Sequence, residues 1–203
     1  MTDSLWEASA GQLLARTASA DPTPGGGAIA AIVGAFGVGL VRMAVRVTLR
    51  AADETASTRL QQVDVRADKL QSLFMRAAED DVNAFDTLMD AYRMSRESDA
   101  ELAARDAAIS SATLRATRVP LVLARAAADG IALADAARPL VKDSITSDVL
   151  AGRDLLRGAG LAALRTADIN LPALEASGQP EAAALRAERG SLLVLLSDAG
   201  GAS

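Results

Sequence analysis

The 203-residue sequence contains no cysteine and no histidine. The first absence excludes disulfides, thiolate catalysis and zinc sites of the usual Cys type. The second removes the side chain that most often moves protons near neutral pH, so acid–base chemistry must run on carboxylates, Lys, Tyr or bound water. Aromatic residues make up only 2% of the chain, which leaves Ala, Leu and Val to build the core. Helices with such slight side chains bury little apolar surface alone, and association with a second copy extends the core. Basic residues are also in the minority: 21 Lys and Arg stand against 26 Asp and Glu, a net charge of −5. Nucleic acid is therefore not an expected partner, because its phosphates demand a basic surface. The N-terminus, MTDSLWEASA, lacks the basic-then-apolar pattern of a secretory leader, and a cytoplasmic location is the expectation.

What the sequence does contain is helical periodicity along nearly its whole length, with no alternating run rich in β-branched residues. The reading is all-α: a single domain over residues 1–203, folded as an antiparallel bundle of five to seven helices, one of them long, dimerising on an Ala-rich face. Ser4 is placed to cap a first helix that ends near Thr17. Residues 21–27 form a loop, and a second helix covers about 28–49. Its uncharged stretch, 28–41, is followed by Arg42, Arg46 and Arg50 on one face. Burying three arginines in hydrocarbon is costly, so a helix packed among helices is expected, not a membrane span. A long third helix covers roughly 53–93. Ser98 with Glu101 resembles a capping box that opens a fourth, reaching about residue 137, and Pro120 should kink or divide it. RPLVKDSITSD is a connection, a helix follows over about 147–167, INLPALEASGQP is a second loop, and a last helix covers about 181–196.

Projected at 100° per residue, the third helix places Leu70, Phe74, Ala77, Asp81, Phe85, Leu88 and Tyr92 on one stripe, with Asp80, Asp86 and Asp90 elsewhere. Asp81 is the one carboxylate in this apolar line. A carboxylate so placed loses hydration, its pKa rises unless a cation or several donors hold it ionised, and it becomes a candidate acid or base. The alternative is a structural carboxylate paired with an arginine of the second helix. The helix after Ser147 repeats the pattern, with Asp148 in line with Ala151, Gly152, Leu155, Ala159, Ala162 and Thr166. Here the alternative is that Asp148 or Ser147 caps the helix. Gly25, Gly26 and Gly27 precede a helix start whose free N–H groups a ligand could approach closely, or they form a plain turn. The run is not a Walker loop and no strand precedes it. The Arg42, Arg46 and Arg50 ladder lies on a solvated face, holds Asp81 ionised, or clamps an acidic ligand.

In combination these segments resemble the cyclodeaminase and methenyltetrahydrofolate cyclohydrolase family, which includes the C-terminal domain of formiminotransferase-cyclodeaminase. The matching stretches are PTPGGGAIAAIVGAFGVGLVRMAVRVTL, EDDVNAFDTLMDAY, AARDAAISSATLRATRVPL, SITSDVLAG and INL, in the family's order. The resemblance implies a helical dimer that binds a tetrahydrofolate derivative as substrate, with no further cofactor and no metal. It would either hydrate the 5,10-methenyl compound to the 10-formyl one or expel ammonia from the 5-formimino one. Asp81 and Asp148 would be its acidic residues. Thr23, Pro24, Gly25, Gly26 and Gly27 would border the folate, with Arg46 and Ser147 also binding substrate. The chain departs from the family at Ala28, where a small hydroxyl residue is usual, at Arg46, where Asn is common, and at RAADETAS, which replaces a lysine-rich segment. Three outcomes follow: Arg46 and Arg50 replace the lysines, another folate is the substrate, or catalysis is lost.

Overall fold

A computed structural model describes residues 4–199, and every regular element among them is helical. There are six α-helices: α1 (Ala10–Thr17), α2 (Gly26–Leu49), α3 (Glu54–Arg93), α4 (Asp99–Ala137), α5 (Thr146–Ala176) and α6 (Ala182–Asp198). Two 3₁₀ turns, Arg138–Leu140 and Asp143–Ile145, make the connection before α5. α2 is the central rod, packed against both α3 and α5, while α4 closes the bundle by lying on those same two helices. In the most apolar 18-residue window of α2, 61% of the residues are buried against other helices. This is the core-helix expectation.

The first helix starts later than expected. Ser4 does not cap it, because its hydroxyl donates instead to Glu79 Oε1 of α3 at 2.8 Å. The Leu5 N–H donates to the same oxygen at 2.8 Å, and the Trp6 indole N–H donates to the Met75 carbonyl at 2.9 Å. Residues 4–9 are thus a strap laid on α3. The true capping box is Ser9 with Gln12. The box expected at Ser98 and Glu101 does open α4.

Neither proline inside a helix ends it. Pro120 leaves α4 continuous, because the Ala116 carbonyl that it cannot serve receives a hydrogen bond from the Asn170 amide of α5 at 3.1 Å. α5 runs through the INLPALEA stretch expected to be a loop, since Leu171 and Leu174 are fully buried and hold its last turns in the core. It stops at Ser177 and Gly178, the latter at φ 69°, the left-handed end that glycine permits.

The alanine-rich faces are used inside the bundle. Ala124, Ala127, Ala134, Ala163 and Ala167 are completely buried, and the outward apolar groups are larger ones such as Leu14, Phe36 and Met43. α2 and α5 cross where two glycines meet: a Cβ on Gly152 would lie 2.5 Å from the Gly37 carbonyl oxygen. Neither helix can carry a side chain there without separating. Gly152→Val is therefore expected to lower unfolding stability by about 3 kcal/mol or to prevent folding, as overpacked sites do. Urea unfolding followed by circular dichroism measures the change.

Candidate functional site

At the N-terminal end of α2 the bundle opens into a cleft of about 420 Å³. The turn Pro22, Thr23, Gly25 to Gly27 forms one wall. Asp81, Phe85, Leu88 and Tyr92 of α3, Thr113 and Ala116 of α4, and Thr166 and Asn170 of α5 form the rest. Phe74 and Ala77 continue the α3 stripe into the core, and Tyr92 reaches the rim, 42% exposed. The predicted stripe is thus a line that runs from the core, past one carboxylate, to solvent.

Asp81 sits against the backbone of α2. A Cβ at Gly27 would lie 2.7 Å from Asp81 Oδ2 and nearer still to Cγ and Oδ1. Only glycine lets the carboxyl reach this depth. Burial raises its pKa above the ordinary carboxylate value, and the Ala28 backbone amide, which favours the ionised form, offsets this only in part. No cation among the described residues acts on it. The alternative of an arginine partner from the second helix does not hold: no arginine acts on Asp81 among the described residues, and Arg42 and Arg46 are engaged elsewhere. Arg42 lies 2.9 Å from Asp64 Oδ1 and 2.6 Å from Asp68 Oδ1, and Arg46 lies 2.9 Å from Asp64 Oδ1. Burial alone would raise the pKa of Asp64, but hydrogen bonds from Arg46 and Arg42 outweigh it and hold the group below its ordinary value. The neighbours of Asp81 in sequence are committed too: Glu79 to the N-terminal strap and Asp80 to Arg115 at 3.8 Å.

The structure brings together Asp81, Thr23, Gly25, Gly26 and Gly27, with the buried Pro24 inside the same turn. It does not bring Asp148, Ser147 or Arg46 to them. Asp148 stands eighteen residues before Thr166 on the same helix, about 27 Å away at 1.5 Å per residue. It occupies the first turn of α5, whose start has no side-chain cap, so neither it nor Ser147 caps the helix by a hydrogen bond. Its negative charge there suits the positive end of the helix dipole. Thr166, at the other end of the same stripe, reaches the cleft together with Ile169, Asn170 and Ala173 of α5. Asn170 was not singled out from sequence, since the segment that carries it reads as a loop.

A largely apolar cleft with one half-buried carboxyl is of the kind that takes a small organic molecule. Residues 9–189 match the formiminotransferase-cyclodeaminase family, a stretch that includes every residue of the cleft, and the chain belongs to that family. It is 36% identical over 155 residues to a methenyltetrahydrofolate cyclohydrolase of Methylorubrum extorquens, an overlap of 76% of this chain and 73% of that protein. The crystal structure of formiminotetrahydrofolate cyclodeaminase from Thermotoga maritima has the same fold, with a TM-score of 0.74 over 96% of both chains at 21% identity.

A carboxyl whose folded pKa lies above its unfolded one favours folding fully when protonated, and that contribution is lost as pH rises through the folded pKa. Where Asp81 is ionised it is a burden on the fold. Asp81→Asn is therefore expected to melt higher than the parent at pH values where the parent's carboxyl is ionised. The gap should close as pH falls to the unfolded carboxylate range. Calorimetric scans at several pH values measure both.

Proposed function

We propose that the chain is a folate-dependent one-carbon enzyme that hydrolyses 5,10-methenyltetrahydrofolate to 10-formyltetrahydrofolate, with Asp81 as its acid–base. The observation that carries this reading is the lone carboxyl, lodged against Gly27 without a cation, inside the cleft. The cyclohydrolase relative supports the choice of reaction. The methenyl carbon is part of an amidinium-like cation, which an ionised carboxylate stabilises. Asp81 takes a proton as water adds to that carbon. It then returns the proton to N5 as the C–N5 bond breaks, while the hydroxyl proton of the adduct leaves to solvent. The sum is one water consumed and one proton released. The glycine turn lets the ring system approach the backbone, and Phe85 and Tyr92 offer flat apolar surface further along the cleft.

The same carboxyl in its protonated form could serve the other chemistry in the family's description, ammonia release from a formimino group. The two reactions separate by product. Loss of the near-ultraviolet absorbance of methenyltetrahydrofolate is expected to be faster with the protein than without it, with no ammonia formed from the formimino compound. Asp81→Asn should reduce turnover about 10²–10⁴-fold, the usual worth of a positioned acid or base. Turnover should rise with pH as Asp81 ionises. A rate equal to the uncatalysed one leaves a folate carrier, if calorimetry detects binding, or a scaffold if it does not.

Association with a second copy belongs to this reading. α2 presents Ile29, Val33, Phe36, Leu40, Met43 and Val47 along its outer face, with Phe36 63% exposed. An antiparallel two-fold axis through the middle of this face brings the Arg46 and Arg50 end of one copy to the Glu7 and Asp21 end of the other. Sedimentation equilibrium should give a dimer for the parent and a monomer for Phe36→Lys. A monomeric parent would remove the claim.

A further inference from the structure

Pro120 and Asn170 lie on different helices, yet one backbone carbonyl joins them. In an uninterrupted helix the Ala116 carbonyl accepts from the N–H four residues on. That residue is Pro120, inside α4 and without an N–H. The free acceptor is met from α5, where Asn170 Nδ2 donates to Ala116 O at 3.1 Å. Only the amide nitrogen of Asn can donate to a carbonyl, so this contact decides which way the side chain is turned. Its Oδ1 takes no hydrogen bond from any described residue. Asn170 lines the cleft across from the glycine turn, close to Thr113 and Thr166.

We propose that Pro120 is a positioning residue for the ligand: by freeing the Ala116 carbonyl it locks Asn170 with its acceptor oxygen turned into the cleft, where it recognises an N–H donor. An unlocked Asn offers either its oxygen or its nitrogen and so tolerates donors and acceptors alike. At the point its oxygen occupies, a locked one accepts only a donor, because a ligand acceptor placed there would leave two lone pairs face to face. Of the other polar side chains of the wall, Thr23 and Thr113 carry hydroxyls that rotate to donate or accept, Thr166 donates to the Ala162 carbonyl of its own helix, and Asp81 is the acid–base group of the proposed reaction. The ligand class that fits is an amino-substituted heterocycle. Resting on the folate reading above, it is the pterin end of the substrate. Pro120 itself does not line the cleft.

Pro120→Ala restores an N–H that can satisfy Ala116 within α4, which releases Asn170. The variant should melt at or above the parent temperature, since a helix interior prefers Ala to Pro, and yet bind less well. With 5-formyltetrahydrofolate as the probe, its Kd should rise about five-fold and that of Asn170→Ala about ten-fold, the worth of one hydrogen bond. In the Asn170→Ala background Pro120→Ala should add nothing. Equal losses in both backgrounds, or parental affinity in Pro120→Ala, would overturn the proposal. A readout without ligand separates it from the folate reading: the Asn170 side-chain amide protons should exchange slowly in the parent and quickly in Pro120→Ala. If they do so while the parent fails to bind the probe, the lock stands and the folate reading falls. If they do not respond, the lock falls whatever the cleft binds.

Discussion

The contact between a carboxylate and a bare backbone carbon governs this molecule. Asp81 lies where a Cβ at residue 27 would be, so the first turn of α2 shields it from water. Among the described residues, the Ala28 backbone amide is the group that eases its charge. Such an arrangement destabilises the fold and is the sort of local conflict that functional sites retain. It also explains why a run of glycine opens the most apolar helix of the chain. α2 must be bulky enough further along to form the core and bare enough at its start to admit an acid.

Charge is kept apart along α3 so that this contact stays unneutralised. The first half of the helix holds Asp64 and Asp68, which absorb Arg42 and Arg46 of α2. The second half holds Asp81 and packs on apolar groups of α4. Glu79 and Asp80 are tied to the N-terminal strap and to Arg115. Three adjacent acids therefore have three separate duties: Glu79 accepts from the strap, Asp80 faces Arg115, and Asp81 points inward.

The α3 stripe was legible in the sequence because a lone Asp between Ala77 and Phe85 at helical spacing marks a face whatever packs on it. The glycine turn was legible for a similar reason. Asp148 misled because periodicity reports which side of a helix a residue occupies and is silent on how far along it sits. The stripe that carries Asp148 is the one that reaches the cleft, but it does so at Thr166. Ser4 misled because Ser4 and Glu7 imitate the capping spacing of Ser9 and Gln12, and only the distant Glu79 decides between them. Asn170 was hidden because Pro172 argued for a loop, while the burial of Leu171 and Leu174 outweighed that local signal.

The crossing of Gly37 and Gly152 lies near one tip of α5, and the cleft lies near the other. α5 is therefore a lever with an off-centre fulcrum. Each degree of tilt at the crossing displaces Asn170 by roughly half an ångström, given a rise of 1.5 Å per residue over the intervening arm. A substitution at that crossing that tilted α5 would change the width of the opening beside Asp81 without altering a single lining side chain.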